Sequence, residues 1–233
     1  EEKLHDFVSS YVGLMADARV VVGGKEAGVH SVDMVSGATV TILAENRTVL
    51  ETAQALGQGV GVLQIKAQVP GHFVPSEERW SWEQIVKEGA LTRLVVTQEE
   101  MGLPPGDVPF LDLWYGIADA PQVGIPLLGE RIWQRARDAQ APDERLVVMF
   151  GAGTSSFKGS GFVRGGTFDR VRIEQGLRSV MFTDLDYTNV QSAYADGAPR
   201  FKEGALFVAR GGLLDPGAPF DLVFLGSAFD LKE

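Results

Sequence analysis

Cysteine is absent from the sequence. Its absence excludes disulfide staples, cysteine nucleophiles and thiolate-held Fe–S clusters within this chain, while leaving the compartment open. Histidine is scarce: His5, His30 and His72 are the whole set, without the spacing of a metal site. A lone histidine in a connection, such as His30, is more often solvated or packed than a ligand. No apolar run reaches the roughly 18 residues that a bilayer span needs, and the longest candidate, 108–118, is interrupted by Asp112. Positive charge is in deficit, with 21 Lys and Arg against 31 Asp and Glu and a formal charge of −10. Nucleic acid and anionic membrane surfaces are therefore poor partners. The glycine-rich stretch 151–161 places Lys158 before Gly159 and fails the P-loop order, reading instead as a loop into a hairpin. No Gly-x-Ser-x-Gly elbow supports a hydrolase triad, so an independent hydrolase has little behind it. The sequence opens on Glu1-Glu2 without a signal peptide, and the expectation is a piece of a larger polypeptide.

What is present is the composition of a globular protein, 45% hydrophobic and 22% charged, over 233 residues. That length suits one large domain or two small ones. The spacing predicts a helix over 1–15, with Leu4, Phe7, Val8, Tyr11 and Leu14 on one face. A short strand follows at 18–22, ended by Gly23-Gly24. A long helix is predicted from Thr39 to about residue 60. Its apolar positions Ile42, Val49, Ala53, Leu56, Val60 and Leu63 fall in steps of three or four, broken only at Asn46. Residues 62–69 read as a strand or as the tail of that helix. Ser81 opens a short helix at 82–87, 91–97 reads as a strand, and Leu103-Pro104-Pro105-Gly106 is a break. The segment 110–116 is apolar and buried, and 125–139 reads as one helix with Leu128, Ile132, Trp133 and Ala136 inward.

After Pro142 the texture changes to short strand patterns at 146–150, 161–166, 171–174, 179–184, 205–209 and 220–225. Val171-Arg172-Ile173-Glu174 alternates as a half-buried strand does. Asp184 and Asp186 read as one solvated strand face. The expected class is α+β: an α+β domain over 1–141 and a β-rich, sandwich-like domain over 142–233.

One stretch carries candidate chemistry. Asp33-Met34-Val35-Ser36-Gly37-Ala38-Thr39-Val40-Thr41 gathers three hydroxyls and a glycine in six residues, directly before the long helical pattern. The unpaired N–H groups and positive dipole end of a helix N-terminus favour an anion, most naturally a phosphate. Gly37 removes a Cβ that would hold a phosphate off the backbone. An ordinary N-cap has the same residue types, and on composition alone both readings stand.

The order Asp-x-Val-Ser-Gly-Ala-Thr-x-Thr resembles the flavinylation motif of FMN-binding domains, as found in subunits of sodium-pumping quinone reductases. The resemblance implies covalent FMN on Thr39 through a phosphoester bond made by a dedicated flavin transferase. Ser36, Gly37, Ala38 and Thr41 would form the phosphate cradle, and Asp33 would open the motif. Three further stretches are similar to the NosR/NirI family of membrane flavoproteins, and most to its NosR branch. They are 155–170 (Ser-Ser-Phe-Lys-Gly-Ser-Gly-Phe-Val-Arg-Gly-Gly-Thr-Phe-Asp-Arg), 182–186 (Phe-Thr-Asp-Leu-Asp) and 197–203 (Gly-Ala-Pro-Arg-Phe-Lys-Glu). Segments 109–113 and 126–129 match as well, so the similarity covers nearly the whole chain.

Membership would imply a periplasmic flavin domain, the rest of the polypeptide being a transmembrane bundle and a cytoplasmic Fe–S portion. It would imply electron transfer or regulation for nitrous oxide reductase in denitrification. Partners would be the flavin transferase, the reductase or its maturation proteins, and the membrane-anchored remainder. In that family, strands of the flavin domain precede the stretch resembling Glu1-Glu2-Lys3-Leu4-His5, so the pocket would be incomplete here or would draw on residues outside this sequence. The redox chemistry would belong to the flavin ring. Trp114 or Tyr115 could stack on that ring, although core packing is the commoner use of such aromatics. The competing reading is a binding or assembly module for reductase maturation, with the flavin secondary or absent.

Overall fold

Phe7 and Tyr11 show why the first helix stops where it does. In the computed structural model, which describes residues 2–22, 29–33, 39–63, 71–159, 166–176 and 178–226, α1 (Glu2–Ser9) ends before Tyr11. Ser10 Oγ donates to the Phe7 carbonyl at 2.6 Å, and Gly13 turns the chain with φ of 89°. The rings of Phe7 and Tyr11 still meet edge to face, 5.3 Å apart, and both are buried. Val8, expected on the same face, is exposed. The helix predicted over 1–15 is therefore shortened: its last apolar residues pack from a turn.

Two compact units make up the chain: Glu1–Val69 with Glu174–Ser179, and Pro70–Ile173 with Val180–Glu233. In the first, β1 (Val20–Val22) and β2 (His30–Val32) pair in parallel, Val20 opposite His30 and Val22 opposite Val32. After them comes α2 (Thr39–Gly59). Ile42 on its inner face is fully buried, whereas Leu56 and Val60 are exposed, so the apolar stripe does not continue as core past Ala53. Gly61 ends the helix region with φ of 76°, and the N–H groups of Val62 and Leu63 both reach the Gly57 carbonyl at 2.9 Å. This is a glycine C-terminal closure. The strand or tail expected at 62–69 lies outside the described residues from 64 on.

The second unit is built on a five-stranded antiparallel sheet of order β3-β4-β5-β9-β8. Its strands are β3 (Thr92–Val96), β4 (Leu111–Ile117), β5 (Arg145–Ala152), β8 (Tyr187–Val190) and β9 (Glu203–Ala209). A three-stranded sheet, order β10-β6-β7, is formed by β6 (Thr167–Gln175), β7 (Arg178–Thr183) and β10 (Asp221–Phe224). Side-chain alternation divides the five-stranded sheet into two faces. Leu113, Tyr115, Val147, Met149 and Phe207 pack against Phe168, Ile173, Val180 and Phe182 of the smaller sheet. Leu146, Val148, Phe150 and Leu206 pack against α3 (Trp82–Lys87), α4 (Pro121–Leu128) and α5 (Glu130–Ala139) through Ile85, Leu127, Leu128 and Trp133. The sandwich is present, with a helical layer behind it.

Several expectations are corrected by this architecture. The 141/142 boundary falls inside the five-stranded sheet, because β4 pairs with β5 from Asp112 opposite Ala152 to Ile117 opposite Val147. The single helix over 125–139 is two: α4 begins with Pro121 at its first turn, and Gly129, at φ 76° and ψ 148°, separates it from α5. β6 is not half-buried, since Arg170 and Arg172 are enclosed along with Val171 and Ile173. The strand predicted at 161–166 lies outside the described residues up to 165, and β8, from Tyr187 to Val190, was not anticipated.

Candidate cofactor-attachment site

Between β2 and α2 the chain carries the hydroxyl-rich motif. Val32 closes β2 with a buried side chain, and the next residue, Asp33, is exposed. Thr39 is the first residue of α2 and Thr41 is exposed in its first turn. Ser36, Gly37 and Ala38 lie outside the described residues. Three of the six predicted site residues are thus located: Thr39 and Thr41 on one helical turn, Asp33 at the end of the preceding strand.

The helix that Thr39 opens has 21 residues and no acidic side chain in its first turn. No carboxylate of its own first turn therefore competes for the leading N–H groups and the dipole, an arrangement that suits an external phosphate. On this point the residues fit an FMN phosphate. The helix is anchored one turn further in. Ile42 is fully buried, and Tyr11 donates its hydroxyl to Asn46 Oδ1 at 2.7 Å. Burial raises the Tyr11 hydroxyl pKa above its ordinary value. His30, in β2, has its Nε2 enclosed without a hydrogen-bond partner among the described residues. A cavity of about 30 Å³ in this unit, bordered by Val20, Asn46 and Leu50, has room for a water and not for a flavin ring.

Other candidates resolve into structural roles. Trp114 packs edge to face on Trp82 at 5.3 Å, with the Arg93 guanidinium 5.4 Å above its ring. Tyr115 is buried and meets Phe220 at 6.1 Å. Both therefore serve packing in the second unit. The glycine-rich stretch is a packing device as well: a Cβ on Gly151 would lie 2.7 Å from the buried Phe157 ring. Asp184 and Asp186 are not a solvated strand face. They form a short 3-10 turn in which Asp186 accepts from the Thr183 N–H and hydroxyl and from Arg210 Nε at 2.6 Å. His5 is exposed in α1, and no group of three or more metal-ligating side chains occurs among the described residues.

Sequence reasoning passed over Asp119. It follows β4, is buried, and accepts from Gln140 Nε2 at 2.7 Å, the Leu146 N–H at 2.9 Å and Arg137 at 3.2 Å. Burial lifts its carboxyl above the usual range, against the lowering effect of those hydrogen bonds and of the Arg137 and Arg145 charges. Nothing local in Ile117-Ala118-Asp119-Ala120 signals this, since all three donors are supplied from 18 or more residues away.

No family model matches the chain, and no solved structure does. Among curated proteins it is 37% identical, over 97% of its length, to "Regulatory protein NosR" of Pseudomonas aeruginosa. It is 34% identical over 97% of its length to the protein of the same name from Stutzerimonas stutzeri. To "Protein NirI" of Paracoccus denitrificans it is 32% identical over 82% of its length. It covers 34%, 34% and 29% of those proteins, so the chain spans about a third of the length of the relatives it matches.

Proposed function

Because this chain belongs to the NosR/NirI family, we propose that it is a periplasmic, FMN-bearing segment of a membrane-anchored polypeptide. Its role is electron transfer to, or regulation of, nitrous oxide reductase in denitrification. No helix among the described residues is long and apolar enough to cross a membrane, which agrees with a segment lying outside the bilayer. The observation that carries the reading is the position of Thr39 at the start of a 21-residue helix with no acidic first turn.

A threonine hydroxyl is a weak nucleophile, so an external flavin transferase activates it. The donor would be a flavin dinucleotide: the Thr39 oxygen would bond to the flavin-bearing phosphorus as the phosphoanhydride P–O bond breaks, the nucleoside monophosphate would leave, and the hydroxyl proton would pass to the transferase. The first-turn N–H groups of α2 would hold the phosphate charge, with Thr41 on the same turn. By the resemblance to the flavinylation motif, Ser36, Gly37 and Ala38 would belong to the same phosphate cradle and Asp33 would open the motif. Bound flavin supplies one- and two-electron transfer. A covalent tether keeps it in place without a deep cavity.

Co-expression with a flavin transferase tests this. The expected product has the intact mass of chain plus one FMN and a yellow colour that survives denaturation. The Thr39→Val protein is expected to stay colourless, and covalent flavin on that variant overturns the assignment. A second reading, an assembly module in which the flavin is secondary, is favoured by a cleft of about 510 Å³ in the second unit that is bordered by Arg131, Arg135 and Arg210. It prevails if reductase activation survives in the Thr39→Val protein.

A further inference from the structure

On α5, Trp133 is turned into the core and Arg137 reaches Asp119. Another side of the same helix, carrying Arg131, Ile132, Arg135 and Ala136, borders a cleft of about 510 Å³. The facing wall is the end of the five-stranded sheet, with Leu206 and Val208 on β9 and Thr188 on the edge strand β8. Arg210 closes the rim, fixed by Glu144 at 2.7 Å and Asp186 at 2.6 Å.

Arg131 and Arg135 are exposed, one turn apart, and have no hydrogen bond or ion pair among the described residues. The acidic residue lining the cleft, Glu144, is already engaged by Arg210 and by the Ala141 N–H. Glu130 and Asp138 of α5 are not part of the lining. In a chain of formal charge −10, this is a basic concavity with an apolar floor. Guanidiniums beside a small apolar trough are what protein interfaces select, since arginine gives up little hydration and pairs carboxylates in a two-pronged geometry.

The geometry points to a docking site for an acidic, amphipathic segment of a partner protein. Its apolar side chains enter between Ile132 and Ala136 on one wall and Leu206 and Val208 on the other. Its carboxylates pair with Arg131 and Arg135. Charge complementarity chooses this occupant over a basic segment, and the inference is independent of the flavin at Thr39.

The whole chain, without flavin, is titrated with a fluorescein-labelled peptide of leucine and glutamate at helical spacing. Controls are the same peptide with lysine for glutamate and with serine for leucine. The leucine–glutamate peptide is expected to bind, both controls to bind far more weakly, and R131E/R135E to lose about tenfold or more in affinity. Both arginines are exposed, so the variant is expected to fold, which its circular dichroism and urea midpoint check. Ala139→Trp, an exposed residue on the rim, fills the cleft and is expected to weaken binding without changing charge. Equal binding of the lysine peptide, or unchanged affinity in R131E/R135E, overturns the proposal. So does an Ala139→Trp protein or a serine peptide that binds normally, which would mean non-specific charge attraction. Self-association of the wild type that R131E/R135E abolishes in sedimentation assigns the cleft to a second copy and also overturns it. A failure here leaves the Thr39 reading standing.

Discussion

The hydroxyl of Tyr11 donates to the side-chain oxygen of Asn46 at 2.7 Å, joining the turn after α1 to the inner face of α2 across 35 residues. Asn46 is the one break in the apolar steps of that helix, and this bond is the reason a polar residue is tolerated there. A buried amide without a partner is costly, and one with a partner specifies a particular seating of the helix. The pair therefore sets the position of the helix that begins at Thr39.

Tyr11→Phe should cost about 1–2 kcal/mol, because it leaves the Asn46 oxygen without its donor. Asn46→Leu should also destabilise by orphaning the hydroxyl. Tyr11→Phe combined with Asn46→Leu is expected to lie nearer wild type than the sum of the two, which a double-mutant cycle in urea measures. The pH dependence has a fixed sign. Burial raises the Tyr11 pKa above the ordinary 10.0, so the unfolded chain ionises first. The stability contributed by the neutral hydroxyl is complete below pH 10.0 and is lost above it. Wild type should weaken above that pH more than Tyr11→Phe does, and parallel curves would contradict the role given to this hydroxyl.

Local chemistry made some elements readable and long-range chemistry hid others. Ser81 accepts from the Gln84 N–H at 3.3 Å and opens α3 where its residue type predicts. The places of Asp33, Thr39 and Thr41 around a helix start were legible because helix-start signals lie within a few residues of one another. The break at Gly129 was not legible, because Leu128, Ile132 and Trp133 keep helical spacing straight through it. β8 was missed because Tyr187-Thr188-Asn189-Val190, at a sheet edge, has no need of an apolar run. Arg170 is buried in β6 because Ser156 supplies a carbonyl acceptor at 2.8 Å from 14 residues away.

Asp119 ties the end of β4 to α5 and to the start of β5. Its removal in Asp119→Ala leaves the buried Leu146 N–H without an acceptor and Arg137 without its carboxylate. A loss of about 1–3 kcal/mol is expected, set mainly by the buried N–H left without an acceptor. Asp119→Asn, which keeps an acceptor, should lose less. Although Arg137 is only 3.2 Å away, its side chain is 39% exposed, so water screens its charge and burial dominates. The carboxyl is raised above its ordinary 3.8, and its contribution to stability is complete below that pH and lost as pH rises through the folded value. The gap between wild type and Asp119→Asn should therefore widen as pH falls from neutral toward 3.8, read from urea midpoints. A gap that narrows on acidification would mean that the ion pair, not burial, sets this carboxyl.

Glu203 joins two of the stretches that carry the family resemblance. One carboxylate oxygen accepts from Ser156 Oγ at 2.7 Å and the other from the Phe157 N–H at 2.8 Å. In the sheet Glu203 pairs with Gly151, and Phe157 folds its fully buried ring back over that glycine. The loop after β5 is thus clamped by a carboxylate from β9 and seated by a ring that needs the missing Cβ of Gly151. Glu203→Ala removes both acceptors and should cost roughly 2–3 kcal/mol, since hydrogen bonds to a charged group are the stronger kind. Glu203→Gln keeps one acceptor and should cost about 1 kcal/mol. Gly151→Ala, which pushes a methyl into the Phe157 ring, should cost about 1–3 kcal/mol by overpacking. Urea unfolding of the three variants orders them. If Glu203→Ala proves neutral while Gly151→Ala is costly, the loop is held by the Phe157 ring alone and the carboxylate clamp contributes nothing measurable.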